Sequence, residues 1–253
     1  MESQAIVLLR THNDKIMTKL SVNINKIATL RNARGGNVPN LLKVATDIQQ
    51  FGGQGITIHP RPDERHIRYQ DARDLKSIVY TDYNIEGNPE KSFIDLVLEI
   101  KPEQVTLVPD AVDAITSNAG WDTIKHKDFL TEIVQEFQRN CIRTSIFVDP
   151  VLEMIEGAKI IGTERIELYT EAFAHQYSIG NKNGIDSYVK SAVLANELGL
   201  GINAGHDLSL HNIQFFQQNI PGLLEVSIGH ALISEAIYLG LDNVVNMYLQ
   251  KLK

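Results

Sequence analysis

Eight short β-branched apolar runs alternate with amphipathic stretches from Lys19 to the carboxyl terminus, without an intervening linker. Neither a GxGxxG nor a GxxxxGK[ST] signature is present. Strict alternation of β and α elements implies a parallel sheet. Eight such units in a chain of 253 residues predict an α/β fold, a single (β/α)8 barrel of parallel strands. An open doubly wound sheet would lack its usual nucleotide-binding marker.

In order, the strand runs are LSVNIN (20–25), GITIHP (55–60), YNIEG (83–87), QVTLVP (104–109), TSIFVD (144–149), RIELYT (165–170), GINAGH (201–206) and LEVSIGH (224–230). All are short, as strands of a buried parallel sheet are. Between them LLKVATDIQQFGG, SFIDLVLEIK, DFLTEIVQEFQRN and SYVKSAVLANELG repeat apolar residues at helical spacing, and ALISEAIYLGLDNVVNMYLQKLK reads as one closing helical stretch. Pro39-Asn40 marks a helix start before Leu41, and Gly52-Gly53 a stop after Phe51. Residues 1–16 hold one brief apolar run, Ala5 to Leu9, cut short by Arg10. They precede the first strand and read as a leader outside the barrel, which occupies 17–253.

The composition, 43% apolar and 22% charged, is that of a soluble globular protein and excludes a disordered chain. No stretch approaches the roughly 20 apolar residues of a membrane span. A net charge of −7 argues against a general nucleic-acid or anionic-membrane surface, so an anionic ligand must be held locally. The single cysteine, Cys141, excludes an internal disulfide and cysteine-based zinc clusters and points to a reducing cytoplasm. It reads as a buried small hydrophobe.

Barrel chemistry sits at the carboxyl ends of the strands. Those ends carry Asn23, Asn25, His59, Glu86, Pro109, Asp149, Glu167, His206 and His230, including three of the chain's eight histidines. One such group alone would read as a satisfied structural residue; together they read as an active site. Glu86 in particular reads as a buried carboxylate whose pKa desolvation raises. Gly229 and His230 open the last helix, where unpaired backbone N–H groups favour an anion, and NAGHDLS places Gly205, His206 and Asp207 in the neighbouring loop. A small phosphate ester is therefore the expected substrate class. RNARGG offers Arg31 and Arg34, and RPDERHIR offers Arg61, Arg65, His66 and Arg68. The arginine fork suits phosphate, whereas Asp63-Glu64 fits a solvated loop of mixed charge, so Arg34 and Arg61 are carried forward as phosphate ligands. Without an HxH, HExxH or paired-aspartate motif a metal is not expected. Lys26, directly after the first strand, is only a weak candidate for an enzyme-bound imine. These residues leave open an acid–base enzyme, a noncatalytic barrel that binds phosphorylated metabolites, and a metal-dependent aldolase or hydrolase.

Seven motifs in order, VNINKIATLRNARGG, GITIHPRPDERHI, NIEG, VTLVPD followed by TSNAGWD, RIELYT, INAGHDLSLHN and SIGHALI, resemble the pyridoxine 5′-phosphate synthase family. The resemblance implies condensation of 1-deoxy-D-xylulose 5-phosphate with 3-amino-2-oxopropyl phosphate, no metal or organic cofactor, and a homo-octamer. It further implies that His59 and Glu86 are general bases, His206 a proton donor and Glu167 an electrostatic stabiliser. Asn23, Arg34, Asp207 through its backbone, Gly229 and His230 would hold the aminooxopropyl phosphate. Arg61, His66 and Thr116, with Asn25 and Lys26, would hold the sugar phosphate. The family pattern NIDHIATLRN is replaced here by NINKIATLRN, so Asn25 and Lys26 stand for an acid and a histidine. Altered substrate contacts are expected, with the chemistry retained.

Overall fold

The computed structural model describes residues 17–109 and 119–253. Along the chain run β1 (Lys19–Asn23), α1 (Asn25–Asn32), α2 (Leu41–Gln50), β2 (Gly55–Ile58), α3 (Tyr69–Lys76), β3 (Asp82–Gly87), α4 (Lys91–Ile100), β4 (Gln104–Leu107), α5 (Lys127–Arg139), β5 (Arg143–Val148), α6 (Leu152–Ile161), β6 (Arg165–Tyr169), α7 (Glu171–Ser178), α8 (Asp186–Glu197), β7 (Gly201–Gly205), α9 (Ile213–Asn219), β8 (Leu223–Ile228), α10 (His230–Leu239) and α11 (Leu241–Lys251). The eight strands close in sequence order, β8 pairing β1, and every neighbouring pair is parallel. This is the (β/α)8 barrel.

Alternation along the strands divides two environments. One set of positions, among them Leu20, Val22, Ile56, Ile58, Ile85, Val105, Leu107, Ile146, Ile166, Leu168, Ile202 and Val226, is buried with helix residues such as Ile48, Leu75, Val97, Phe137 and Phe216 in one apolar core. The apolar core therefore lies between sheet and helices. The alternate set faces the barrel axis and is polar. Ser21 Oγ meets Thr57 Oγ1 at 2.7 Å, Asn84 Nδ2 donates to Thr57 Oγ1 at 3.4 Å, and Thr106 Oγ1 donates to Asn84 Oδ1 at 3.1 Å. Bulky branched residues usually fill such a lumen, so this interior is unusually hydrophilic.

Several local signals hold. Asn40 caps α2 by accepting from the Lys43 N–H at 2.9 Å, and Gly52 adopts φ +103° just after α2. Other expectations need correction. Seven of the eight sequence runs extend past their strand by one or two residues, because the chain leaves the ladder where the site loops begin. The closing helical stretch breaks at Gly240, whose φ of +81° ends α10 and starts α11. Cys141 is exposed, not buried: it turns the chain out of α5 with φ +61°.

Candidate active site

At the carboxyl end of the barrel, a cavity of about 510 Å³ opens over the lumen, lined by Asn23, Asn25, Lys26, His59, Arg61, His66, Glu86, Glu167, His206, Asp207, Gly229 and His230, with Val108, Phe147, Ser227 and Ala231. The size suits small ligands. Of the residues that the family resemblance assigns to the site, all but two thus lie in this cavity wall. Arg34 is exposed in the loop after α1 and does not line the cavity, and Thr116 lies outside the described residues. Asp149, also at a strand end, is absent from this wall; its Oδ2 accepts from the Gly120 N–H at 3.0 Å. A Cβ on Gly120 would come within 2.3 Å of the Asp149 backbone nitrogen, so this contact serves packing.

His59 stands just beyond β2 and is buried. Its backbone N–H donates to Asn25 Oδ1 at 2.9 Å, and the Asn25 N–H donates in turn to Asn23 Oδ1 at 3.0 Å. Asn25 thus spends its side-chain oxygen on fixing the neighbouring loop. Burial, followed by the positive fields of Arg61 and the other histidines, holds the His59 pKa well below the ordinary imidazole value. The ring is therefore neutral near pH 7 and able to accept a proton.

His66 is also neutral, its pKa lowered to about 4 by burial and then by Arg61 and Lys26. The Ile67 N–H donates to its Nδ1 at 2.9 Å, which leaves the ring proton on Nε2 as a donor. The loop that carries Arg61 and His66 is clamped from behind. Arg31, buried at 3% exposure, makes a two-pronged ion pair with Asp71 at 2.6 and 2.8 Å and donates to the His66 carbonyl at 3.2 Å. Asn32 donates to that carbonyl at 2.8 Å. Arg31 thus positions the loop behind the ligand wall. Its place is on the buried side of the eight-residue helix α1.

Glu86 and Glu167 form the acidic side. Glu86 is half-buried, with Asn23 Nδ2 and Ser227 Oγ each donating to it at 3.4 Å. Full desolvation belongs instead to Glu167. Burial, and then the negative charges of Glu86 and Glu225, raise its pKa well above the usual carboxylate range. Gly205 gives it room, since a Cβ there would come within 2.9 Å of Glu167 Oε1 and 2.6 Å of the Ser227 carbonyl. His206 follows Gly205 with φ +79°, its Nδ1 2.7 Å from Asp207 Oδ2 and its ring edge-on to Tyr169 at 5.5 Å between centroids.

The cavity also holds features that suit an anion. Gly229 precedes α10, the first N–H groups of which lack intrahelical acceptors. A side chain at Gly229 would press on Asn23 Cβ at 3.1 Å. Arg61, Lys26 and the His66 Nε2–H also line the cavity. Among the described residues, no group of three or more His, Cys, Asp or Glu side chains is placed to hold a metal ion, and no helix is long and apolar enough to cross a membrane.

Fold and site define a (β/α)8 enzyme whose cavity gathers acid–base groups from four strands. The family model of the pyridoxal phosphate biosynthesis protein PdxJ matches residues 20–253. A pyridoxine 5′-phosphate synthase from Flavobacterium johnsoniae is 86% identical over 237 residues, 94% of this chain and 100% of that protein. One from Christiangramia forsetii is 66% identical over the same shares. The chain belongs to the pyridoxine 5′-phosphate synthase family and is an enzyme of pyridoxine biosynthesis. Among solved structures, 3-keto-L-gulonate-6-phosphate decarboxylase from Vibrio cholerae superposes with a TM-score of 0.65 at 9% identity, over 93% of this chain and 97% of that one. Phosphoribosylanthranilate isomerase from Thermotoga maritima gives 0.59 at 12%, over 93% and 98%. These likenesses concern the fold alone.

Proposed function

We propose that the enzyme condenses 1-deoxy-D-xylulose 5-phosphate with 3-amino-2-oxopropyl phosphate, giving pyridoxine 5′-phosphate, inorganic phosphate and water by general acid–base catalysis. The observation that carries this reading is the cavity itself, where His59, Glu86, Glu167 and His206 from four strand ends face a space that Arg61, His66 and Lys26 and the start of α10 also line. Amine addition to a ketone, dehydration, phosphate loss and ring closure are proton transfers around bound substrates. Neutral His59 and the partly solvated carboxylate of Glu86 accept protons, and His206 donates them. Glu167, its pKa raised by burial and by Glu86 and Glu225, in its protonated form offers an O–H to oxygen that becomes negative, without adding a charge of its own.

In this reading the α10 start, with Asn23, Gly229, His230 and the Asp207 backbone, holds the aminooxopropyl phosphate. Arg61, His66 and Lys26 hold the sugar phosphate. The assembly is a homo-octamer in the cytoplasm, and light scattering that returns a monomer contradicts that part. Purified protein incubated with both phosphates should release pyridoxine 5′-phosphate and inorganic phosphate; binding of both without product would favour the noncatalytic barrel. Arg61→Ala should weaken the sugar phosphate by roughly 1.5–3 kcal/mol, the worth of a charge-assisted contact, and the aminooxopropyl phosphate much less.

A further inference from the structure

His206 and Asp207 are consecutive, and in an extended strand their side chains would point to opposite faces. The left-handed backbone of His206, φ +79°, ends β7 and brings them together, with Nδ1 and Oδ2 2.7 Å apart. Four non-glycine residues have positive φ among the described residues. Lys101 caps α4, Cys141 follows the cap of α5 and Glu64 turns a surface loop. His206 alone of the four lines the cavity, so its unfavourable conformation is held at the site of the chemistry. The surroundings fix it: the Asp207 N–H donates to Thr170 Oγ1 at 3.2 Å, Thr170 Oγ1 donates to the Gly205 carbonyl, and the His206 N–H donates to the Ser227 carbonyl at 3.4 Å.

A carboxylate only accepts hydrogen bonds, so this contact requires the proton on Nδ1 in both states of the ring. Loss of the Nε2 proton converts the imidazolium to the neutral Nδ1–H form, and the bond to Asp207 survives the transfer without any turning of the ring. A second consequence is electrostatic. An unpaired carboxylate in this loop would repel a phosphate, whereas one bonded to the Nδ1–H directs its charge at the ring.

We propose that Asp207 is the positioning residue of His206, its carboxylate fixing the Nδ1–H tautomer so that Nε2 exchanges protons with the substrate. The assignment rests on the proton-donor role proposed for His206 and gives the Asp207 side chain a task distinct from backbone binding of a phosphate. Two variants test it in the full-length protein, Asp207→Asn and Asp207→Ala. Both keep the backbone N–H, and the Asn amide can donate to Nδ1 where the carboxylate accepts.

¹⁵N NMR of the histidine rings, with His206 assigned by its loss in His206→Gln, reads the tautomer in ligand-free enzyme and needs no substrate. Wild type should show Nδ1–H, Asp207→Asn a shift toward Nε2–H, and Asp207→Ala a mixture. Turnover should fall about 10- to 100-fold in both variants, the usual cost of losing an orienting partner, with the KM for the aminooxopropyl phosphate changed less than about threefold. An unchanged tautomer in both variants overturns the proposal. So does a raised KM with unchanged kcat, which would make the side chain a binding group. Absence of product from the wild-type enzyme would strike the reaction assignment, while the NMR result would still decide the pair.

Discussion

The two ends of the barrel lumen are built by the same strands, and they treat charge in opposite ways. At the amino end Asp82 and Glu225 are set against cations. Lys19 lies 2.9 Å and Arg143 3.7 Å from Asp82, and Arg165 lies 3.7 Å from Glu225 while donating to Asn203 at 3.1 Å. At the carboxyl end the strands present Glu86, Glu167, His59 and His206 to a cavity that Arg61 and Lys26 also line. Glu167 and Glu225 make the contrast sharp. Burial raises the pKa of both, but Arg165 opposes the rise at Glu225, whereas Glu86 and Glu225 add to it at Glu167. Paired charge inside a barrel holds the fold; ionisable groups turned toward a cavity are placed to exchange protons with what enters it.

The largest effect expected from this division is at Glu86. Glu86→Gln preserves shape and hydrogen bonding but removes the base, so turnover should fall roughly 10²- to 10⁴-fold with substrate binding and Tm largely kept. A Tm drop with near-normal turnover of the folded fraction would move Glu86 to the structural side. Next comes Arg165→Met, which leaves Glu225 without its cation. Unfolding free energy should drop by about 3 kcal/mol, with kcat of the folded fraction unchanged in a steady-state assay.

A smaller effect comes from pH. With its pKa raised above the ordinary 4.5, Glu167 keeps a proton in the native chain over a range where the unfolded chain has lost it. Stability therefore falls as pH rises from about 4.5 through the folded-state value, then levels off. Glu167→Gln has no proton to lose there. Its Tm should match or exceed that of wild type above this window and lose the advantage below it, and a variant less stable at every pH would refute the assignment.

The sequence revealed the fold because eight β-branched runs kept their order, and it revealed His59, Glu86, Glu167 and His206 because barrel chemistry gathers at strand ends. The amino-end ion pairs were harder to read. Asp82, Arg143, Arg165 and Glu225 occupy strand positions that share a parity with the polar lumen residues, a pattern hidden when the strands are read as uniformly apolar. Arg31 and Arg34, three residues apart, look alike in sequence. Only the helix over Asn25–Asn32 turns the first inward onto Asp71 and leaves the second exposed. Glu86 and Glu167 also look alike at strand ends. Which of them loses its water depends on what the neighbouring strands place beside it.

The separation of the two ends is tested most directly by a double-mutant cycle on Glu86→Gln and Arg165→Met, with turnover and unfolding free energy measured for wild type, both singles and the double. Glu86 and Arg165 lie several residues apart along the lumen, and apart from the fields that Glu86 and Glu225 both exert on Glu167 the two sites should add within about 0.3–0.5 kcal/mol. The double variant is thus expected to have the turnover of Glu86→Gln and the stability of Arg165→Met. A coupling above about 1 kcal/mol in either quantity would contradict the division, because it would show that the paired charges at the amino end are part of the machinery at the carboxyl end.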